Sequence, residues 1–247
     1  MSIIKNCRLC GAEVKTFMGA TWAPFFAARV RPELCDEFID FNTGATKTMW
    51  CTNCLTSMPC HEFTIKELEP IYCDYFQESY LHQRYVMEQP FFPNWHKENY
   101  VGRPYYAEVE RAGDFLAKYL KPKLGETAMD FGSSDWKATP KWMRDNYICE
   151  QYDPYRLQEN AGKLYDLVIC RHVLEHVGNP KALIDILVTL GKTVFIEIPL
   201  EAVGPVGQQV HEHLNLYSKG SLLKSGHDYF AYEDDINPGR YLIRGAA

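Results

Sequence analysis

Two cysteine pairs, Cys7-x-x-Cys10 and Cys51-x-x-Cys54, constrain this chain more than any other feature of its sequence. Each pair can turn two thiolates toward one point, and four thiolates suit a tetrahedral Zn²⁺. Such ligation leaves no coordination position open, so the expected ion is structural. The intervening segment is longer than in a compact zinc ribbon, so a small subdomain must fold between the pairs. Cys35 and Cys60 could replace a ligand, although neither belongs to a CxxC pair. The alternative is four plain thiols, or one pair engaged in redox chemistry. Of the nine cysteines, only Cys149 and Cys170 lie beyond Cys73. That shift places a domain boundary near residue 75, with a zinc-binding domain over 1–75.

Charge and hydropathy narrow the setting. Lys+Arg of 26 against Asp+Glu of 32 gives a net charge of −6. That balance speaks against a protein that neutralises phosphates over its whole surface, and no nucleic-acid partner is expected. The longest apolar region, Ala182 to Leu200, is interrupted by Asp185, Lys192 and Glu197. It falls short of the roughly 20 apolar residues a membrane span needs. The N-terminus carries no apolar run suited to a signal peptide. The expected setting is the cytoplasm, where thiols stay reduced, with no membrane partner.

Residues 76–106 are dense in aromatics and carry Pro90, Pro93 and Pro104, which argue against one continuous helix. They read as a packed connector, with an aromatic lid over a ligand as the sharper alternative. Beyond it, helical and strand patterns alternate. A helix starting at Pro104 carries Val109, Ala112, Leu116 and Tyr119 on one face. Thr127 to Phe131 is a short buried strand, Lys137 to Asp145 a helix, and Tyr147 to Tyr152 a second strand. Tyr165 to Arg171 (YDLVICR) is a continuous apolar run of the kind covered on both faces. Asn179 and Pro180 open a helix to Leu190. Thr193 to Ile198 is another strand. The alternation predicts an α/β fold, a doubly wound parallel sheet of Rossmann-like type.

Such sheets bind ligands beyond the carboxyl ends of their strands. Asp130, Gly132 and Ser133 follow the first strand, although the GxGxxG dinucleotide fingerprint is absent. Asp130 suits a ligand carrying positive charge. Asp153, at the end of the next strand, can take both hydroxyls of a ribose, with Glu150 as the alternative. After YDLVICR comes His172-Val-Leu-Glu-His176, in which His172 is expected to face a ligand and His176 to cap or pack. Metal binding by the two histidines at i, i+4 lacks the HExxH order and an evident third ligand.

Taken together, these residues resemble class I methyltransferases that depend on S-adenosylmethionine (SAM). YDLVICRHVLEHVGNP matches their fourth-strand pattern FDLVxxxHVLEHVxDP. More narrowly, the chain is similar to zinc-containing methyltransferases that methylate carbon on nucleotide-linked ketosugars. It shares their CxxCG and later CxxC, a tyrosine-rich segment (Ile71-Tyr72-Cys73-Asp74-Tyr75), a Gly-Ser loop (Gly132 to Trp136) and Glu197-Ile198-Pro199. Val210-His211-Glu212-His213-Leu214 follows, counterpart of the family's YHEHL. The matches run in order from residue 7 to about 222.

The resemblance implies a SAM-dependent methyltransferase domain over 107–247, with SAM held by Asp130, Gly132, Ser133, Asp153, Arg171 and His172. It implies His213 as the base that forms an enolate, aided by Glu212 and with His211 beside it. A small-molecule substrate, a nucleotide sugar, is the expected partner; the sequence does not specify an oligomeric state. Differences from the family are Trp136 in place of a glycine, Val210 in place of a tyrosine and a shortened third-strand region. The larger relatives also continue into a further α/β domain. These differences keep two other readings in view: an O- or N-directed methyltransferase, and a zinc-stabilised scaffold without catalysis.

Overall fold

The structure, a computed structural model, describes residues 5–21, 29, 39–40, 45–74, 77–88, 105–133, 138–155, 163–200, 213–225, 230–233 and 239–244. The first sheet is antiparallel and built on the cysteine-bearing segment. Strands β1 (Lys15–Thr21), β3 (Ala45–Cys51) and β4 (Thr56–Pro59) lie side by side, and β2 (Ile39–Asp40) pairs with β3. The second CxxC occupies the β3–β4 turn, where Leu55 takes a left-handed φ of 55°. Helix α1 (Ile65–Tyr72) opens with a capping box between Thr64 and Glu67 and ends at Tyr72. Helix α2 (Glu78–Glu88) lies within the predicted connector, whose residues 89–104 fall outside those described.

The second sheet carries the fold. In chain order follow α3 (Tyr105–Tyr119), β5 (Thr127–Phe131), α4 (Lys141–Asn146), β6 (Ile148–Tyr152), β7 (Tyr165–Arg171), α5 (Pro180–Leu190) and β8 (Gly191–Glu197). Three short strands end the chain: β9 (Leu216–Tyr217), β10 (Phe230–Glu233) and β11 (Arg240–Arg244). The spatial order is β10-β11-β8-β7-β5-β6. β5, β6, β7 and β8 are parallel, while β11 runs antiparallel to both β8 and β10. Among the described residues no strand lies between β6 and β7, where the sequence predicted a shortened region.

Alternation along the parallel strands divides the core in two. Ala128, Leu167, Ile169 and Phe195 face α3 and α4, packing on Ala112, Phe115, Leu116 and Met143. Met129, Phe131, Val168, Cys170, Val194 and Ile196 face the other way, toward Leu183, Ile184, Leu187 and Val188 of α5. Helices thus cover both faces, as the unbroken apolar runs of β7 and β8 require. Each fully buried aliphatic side chain contributes about 1.5–3 kcal/mol. The α5 start is as predicted, with Asn179 Oδ1 accepting from the Ala182 N–H at 3.1 Å.

The second apolar cluster continues without a break into the cysteine-bearing sheet, taking in Cys7, Leu9, Met49, Cys51, Cys54 and Met58. Strand β9, far along the chain, completes that sheet by pairing Tyr217 with Thr56 and Leu216 with Ser57. Gly178 marks a close approach of the two layers: a Cβ there would stand 1.8 Å from the Phe63 carbonyl oxygen. None of the described helices is long and apolar enough to cross a membrane.

Candidate active site and metal centre

The four predicted cysteines converge. Cys7, Cys10, Cys51 and Cys54 place their sulfurs within 4.8 Å of one another. Cys7 Sγ lies 3.6 Å from Cys54 Sγ, and Cys10 Sγ 3.5 Å from Cys51 Sγ. A tetrahedral ion with Zn–S bonds of about 2.3 Å has ligand edges of about 3.8 Å, so these two spacings are compatible with Zn²⁺. The Leu9 N–H points at Cys7 Sγ from 3.4 Å, and the Cys54 thiol donates to Thr56 Oγ1 at 3.3 Å. The bond from Cys54 pulls the Cys7 thiol down to about 5, while the same bond pushes Cys54 up. Ligation needs such thiolates. Beside them Arg8 is buried; its Nη1 donates to the His61 carbonyl, and its Nε and Nη2 make no hydrogen bond. Cys60 is buried but outside the group, and Cys35 lies outside the described residues.

In the second sheet, the carboxyl ends of the parallel strands β5, β6, β7 and β8 form one edge. The strand order reverses between β5 and β7, the switch point at which doubly wound sheets bind nucleotide-like ligands. Gly132 turns out of β5 at φ +80°, and its N–H donates to the Tyr152 carbonyl at 2.7 Å. A Cβ on Gly132 would stand 2.4 Å from Val173 Cγ2, so the glycine is required twice over. Ser133 Oγ accepts from Gln151 Nε2 at 2.6 Å. Asp130 is buried and accepts from Thr139 Oγ1 at 2.5 Å. Burial lifts its carboxyl to about 6, against the opposing pull of Thr139, Arg171 and Ser133.

The two acidic alternatives on β6 separate cleanly. Asp153, past the strand end, accepts the Tyr155 N–H at 2.9 Å. Glu150 instead pairs with Lys163 and takes the Tyr165 hydroxyl at 2.6 Å. That places Asp153, and not Glu150, at the carboxyl edge.

Arg171 and His172 end β7. Arg171 Nε donates to Glu197 Oε2 at 2.7 Å and Nη1 to the Ala138 carbonyl at 3.0 Å, while buried Nη2 makes no hydrogen bond. Glu197 is shared: Arg240 Nε donates to its Oε1 at 2.5 Å. Burial would raise the Glu197 carboxyl, but Arg171, His172 and Arg240 together hold it below the ordinary range. His172 adopts φ +53°, a conformation costing about 1–3 kcal/mol in a residue with a side chain. Its N–H donates to the Glu197 carbonyl at 2.9 Å. The turn after it is a single 3₁₀ turn, Leu174–His176, so His172 and His176 do not share a helix face.

His176 does more than pack. Its Nδ1 lies 3.1 Å from the Tyr72 hydroxyl, and its ring stands 4.9 Å from that of His213. Tyr72 in turn lies 5.5 Å, ring to ring, from Tyr155, two residues past Asp153. Glu175, fully buried, faces the same group; Glu175, His176 and His213 offer donor atoms within 4.8 Å of one another. The structure therefore joins β6, β7, the end of α1 and the loop before β9 at one edge. His211 and Glu212 lie outside the described residues, as does Trp136.

Glu175, and the contact of His176 with Tyr72, were not singled out as site features from sequence. A glutamate inside the apolar run Val173-Leu-Glu-His-Val177 was the available signal. Its direction, inward beneath three imidazoles, follows only from the tight turn.

Neither a protein-family model nor a curated protein matches the chain in sequence. Among solved structures it is similar to the magnesium protoporphyrin IX methyltransferase of Synechocystis PCC 6803 with bound SAM. That match has 14% identity and a TM-score of 0.45, over 72% of this chain and 97% of that one. It is also similar to the N-terminal domain of EvdMO1, determined with S-adenosylhomocysteine and D-fucose, at 12% identity and a TM-score of 0.32. There 58% of this chain and 84% of that one are covered.

Proposed function

We propose that this chain is a SAM-dependent methyltransferase acting on a small molecule, and that it methylates a carbon of a nucleotide-linked ketosugar. The observation that carries the reading is the gathering of Gly132, Ser133, Asp153, Arg171 and His172 at the switch point, with His213 beside them through His176. Asp153 is proposed to take the ribose hydroxyls of SAM, and the Gly132–Ser133 turn to receive its methionine end. Arg171, anchored on Glu197, carries a cationic edge suited to the carboxylate of SAM.

Methyl transfer from a sulfonium is an in-line displacement, so the protein supplies position and charge. In the proposed reaction His213 takes a proton from the carbon next to a carbonyl. The C–H electron pair, held as an enolate, attacks the methyl carbon of SAM. The C–S pair stays on sulfur, and S-adenosylhomocysteine leaves. Glu212 and His211 are proposed to assist His213. Zn²⁺ on Cys7, Cys10, Cys51 and Cys54 is proposed as structural, in a zinc-binding unit over 1–75 joined by 76–106 to the methyltransferase unit over 107–247. A cytoplasmic setting, where thiols stay reduced and able to ligate, is part of the same proposal.

Purified protein incubated with methyl-labelled SAM and ketosugar nucleotides tests the reading. Label in a carbon-bound methyl supports it; label on oxygen or nitrogen of another acceptor moves the assignment to that class. Calorimetry with S-adenosylhomocysteine is the prior check, and no binding at millimolar ligand rejects methyl transfer altogether.

A further inference from the structure

We propose that Glu175 is a positioning residue of this site, the buried counter-charge that holds a proton on the His176–His213 pair. The catalytic consequence rests on the proposed role of His213 as base; the electrostatic device itself does not.

Glu175 has no exposed surface, and neither carboxylate oxygen accepts a hydrogen bond. A carboxylate so placed must be balanced by a nearby cation. Its ion-pair neighbours among the described residues are imidazoles: His172 Nδ1 at 3.4 Å and His176 Nε2 at 3.9 Å. His213 offers a ring nitrogen within 4.8 Å of the donor atoms of both Glu175 and His176. Among the described residues the other titratable groups facing this centre are Cys170 on β7, Tyr217 on β9 and Glu197 of β8, whose Oε2 lies 3.7 Å from His172 Nε2, with Tyr72 of α1 against His176. Neither Cys170 nor Tyr217 can supply a cation.

The backbone fixes the separation. The Glu175 carbonyl accepts from the N–H groups of Leu214 at 2.6 Å and Asn215 at 3.0 Å. Asn215 Nδ2 donates back to the carbonyls of Leu174 at 2.9 Å and Val177 at 2.7 Å. The residue after His213 is thus stitched to the turn that carries Glu175 and His176. Tyr72 occupies His176 Nδ1 at 3.1 Å, and the ring's Nε2 faces the carboxylate.

A divalent ion is the rival occupant, and spacing argues against it. Bonds of about 2.1 Å to histidine and carboxylate give tetrahedral edges of about 3.4 Å. The 3.9 Å between His176 Nε2 and Glu175 Oε1 exceeds that, whereas the Cys7–Cys54 and Cys10–Cys51 sulfur pairs stand no wider than a zinc shell. The spacing is that of a through-space charge pair. An opposite charge at this range stabilises the imidazolium, in the manner of the carboxylate that supports the histidine of a catalytic triad.

The test is a histidine NMR titration of the full-length zinc-loaded protein, with the His213 resonance assigned by His213→Asn. In Glu175→Gln the midpoint of His213 falls by about one pH unit or more. Glu175→Asp, which keeps the charge but retracts it, gives a smaller fall in the same direction and serves if Glu175→Gln does not fold. In methyl transfer, the limb on which kcat/KM rises with pH moves down by the same amount, while S-adenosylhomocysteine affinity is unchanged. An unmoved midpoint in a folded variant overturns the proposal. So does binding of a second equivalent of Zn²⁺ or Mn²⁺ that is lost in His213→Asn. The NMR readout needs no acceptor, so a wrong substrate class leaves it standing, and an unmoved midpoint with methyl transfer intact rejects this proposal alone.

Discussion

Replacing Glu197 by glutamine probes the charge network that sets the carboxyl edge of the sheet. Glu197 lies between two guanidiniums, with Arg171 Nε at 2.7 Å and Arg240 Nε at 2.5 Å, and all three residues are buried. Glu197→Gln keeps one acceptor oxygen but turns an amide N–H₂ toward the second arginine. It leaves two buried guanidiniums without a counter-charge. Breaking a buried ion pair from one side costs about 3–5 kcal/mol, because the remaining charge is stranded. The network also sets a pH dependence. The Glu197 carboxyl is held below its ordinary value of 4.5, so its stabilisation is present above that value and lost as pH falls through the lower, folded one. Urea unfolding of both proteins, compared pH by pH, should show the full gap at pH 7 and a narrowing gap below about pH 4.5. A gap under about 1 kcal/mol at pH 7, or one constant from neutral into acid, would refute this reasoning. Arg171→Met tested alone and with Glu197→Gln should be strongly non-additive, since the pair shares its cost.

Asp130 gives the opposite slope. Its carboxyl is raised from 3.8 to about 6, so the unfolded chain ionises first and stability falls as pH rises through that window. Asp130→Asn removes this loss of about 3 kcal/mol, and the wild-type deficit relative to the variant should grow between about pH 4 and 6 in thermal or urea unfolding. Gly132→Ala meets both a positive φ and a 2.4 Å approach to Val173; it should cost about 1–3 kcal/mol and weaken S-adenosylhomocysteine binding in calorimetry. Cys51→Ser should abolish stoichiometric zinc and lower the melting temperature, because structural zinc contributes folding free energy directly. Asp153→Ala should weaken binding of S-adenosylhomocysteine while zinc content, measured by mass spectrometry, stays at one equivalent; lost zinc would tie the two sites together.

Much of the fold was legible because local rules and tertiary demands agree there. The run YDLVICR became β7 with its predicted bounds, since an apolar segment of that length must be covered on both faces. Thr127 to Phe131 became β5, and the Asn179–Pro180 cap started α5. The helix predicted to start at Pro104 became α3 over Tyr105–Tyr119. Strands β1 to β4 and β9 to β11 were not anticipated. They are short and polar in places, and what stabilises β9 is pairing with β4, some 160 residues away, through Tyr217 and Thr56. No window of sequence holds that information.

The same division holds for the site. Residue chemistry alone picked out the four cysteines that converge, because paired cysteines at that spacing suit a four-coordinate soft site. The acidic and glycine positions at strand ends were also readable, because sheet topology fixes where a strand's carboxyl end lies. Tertiary structure decided which of Asp153 and Glu150 reaches the edge, since that depends on where β6 stops against β5. It also decided that His172 would sit at positive φ and that Glu175 would point inward beneath His176 and His213. Those arrangements come from a single tight turn locked to residues 214 and 215 by backbone hydrogen bonds. Side-chain type is written in the sequence; the electrostatic company it keeps is set by which distant backbone closes over it.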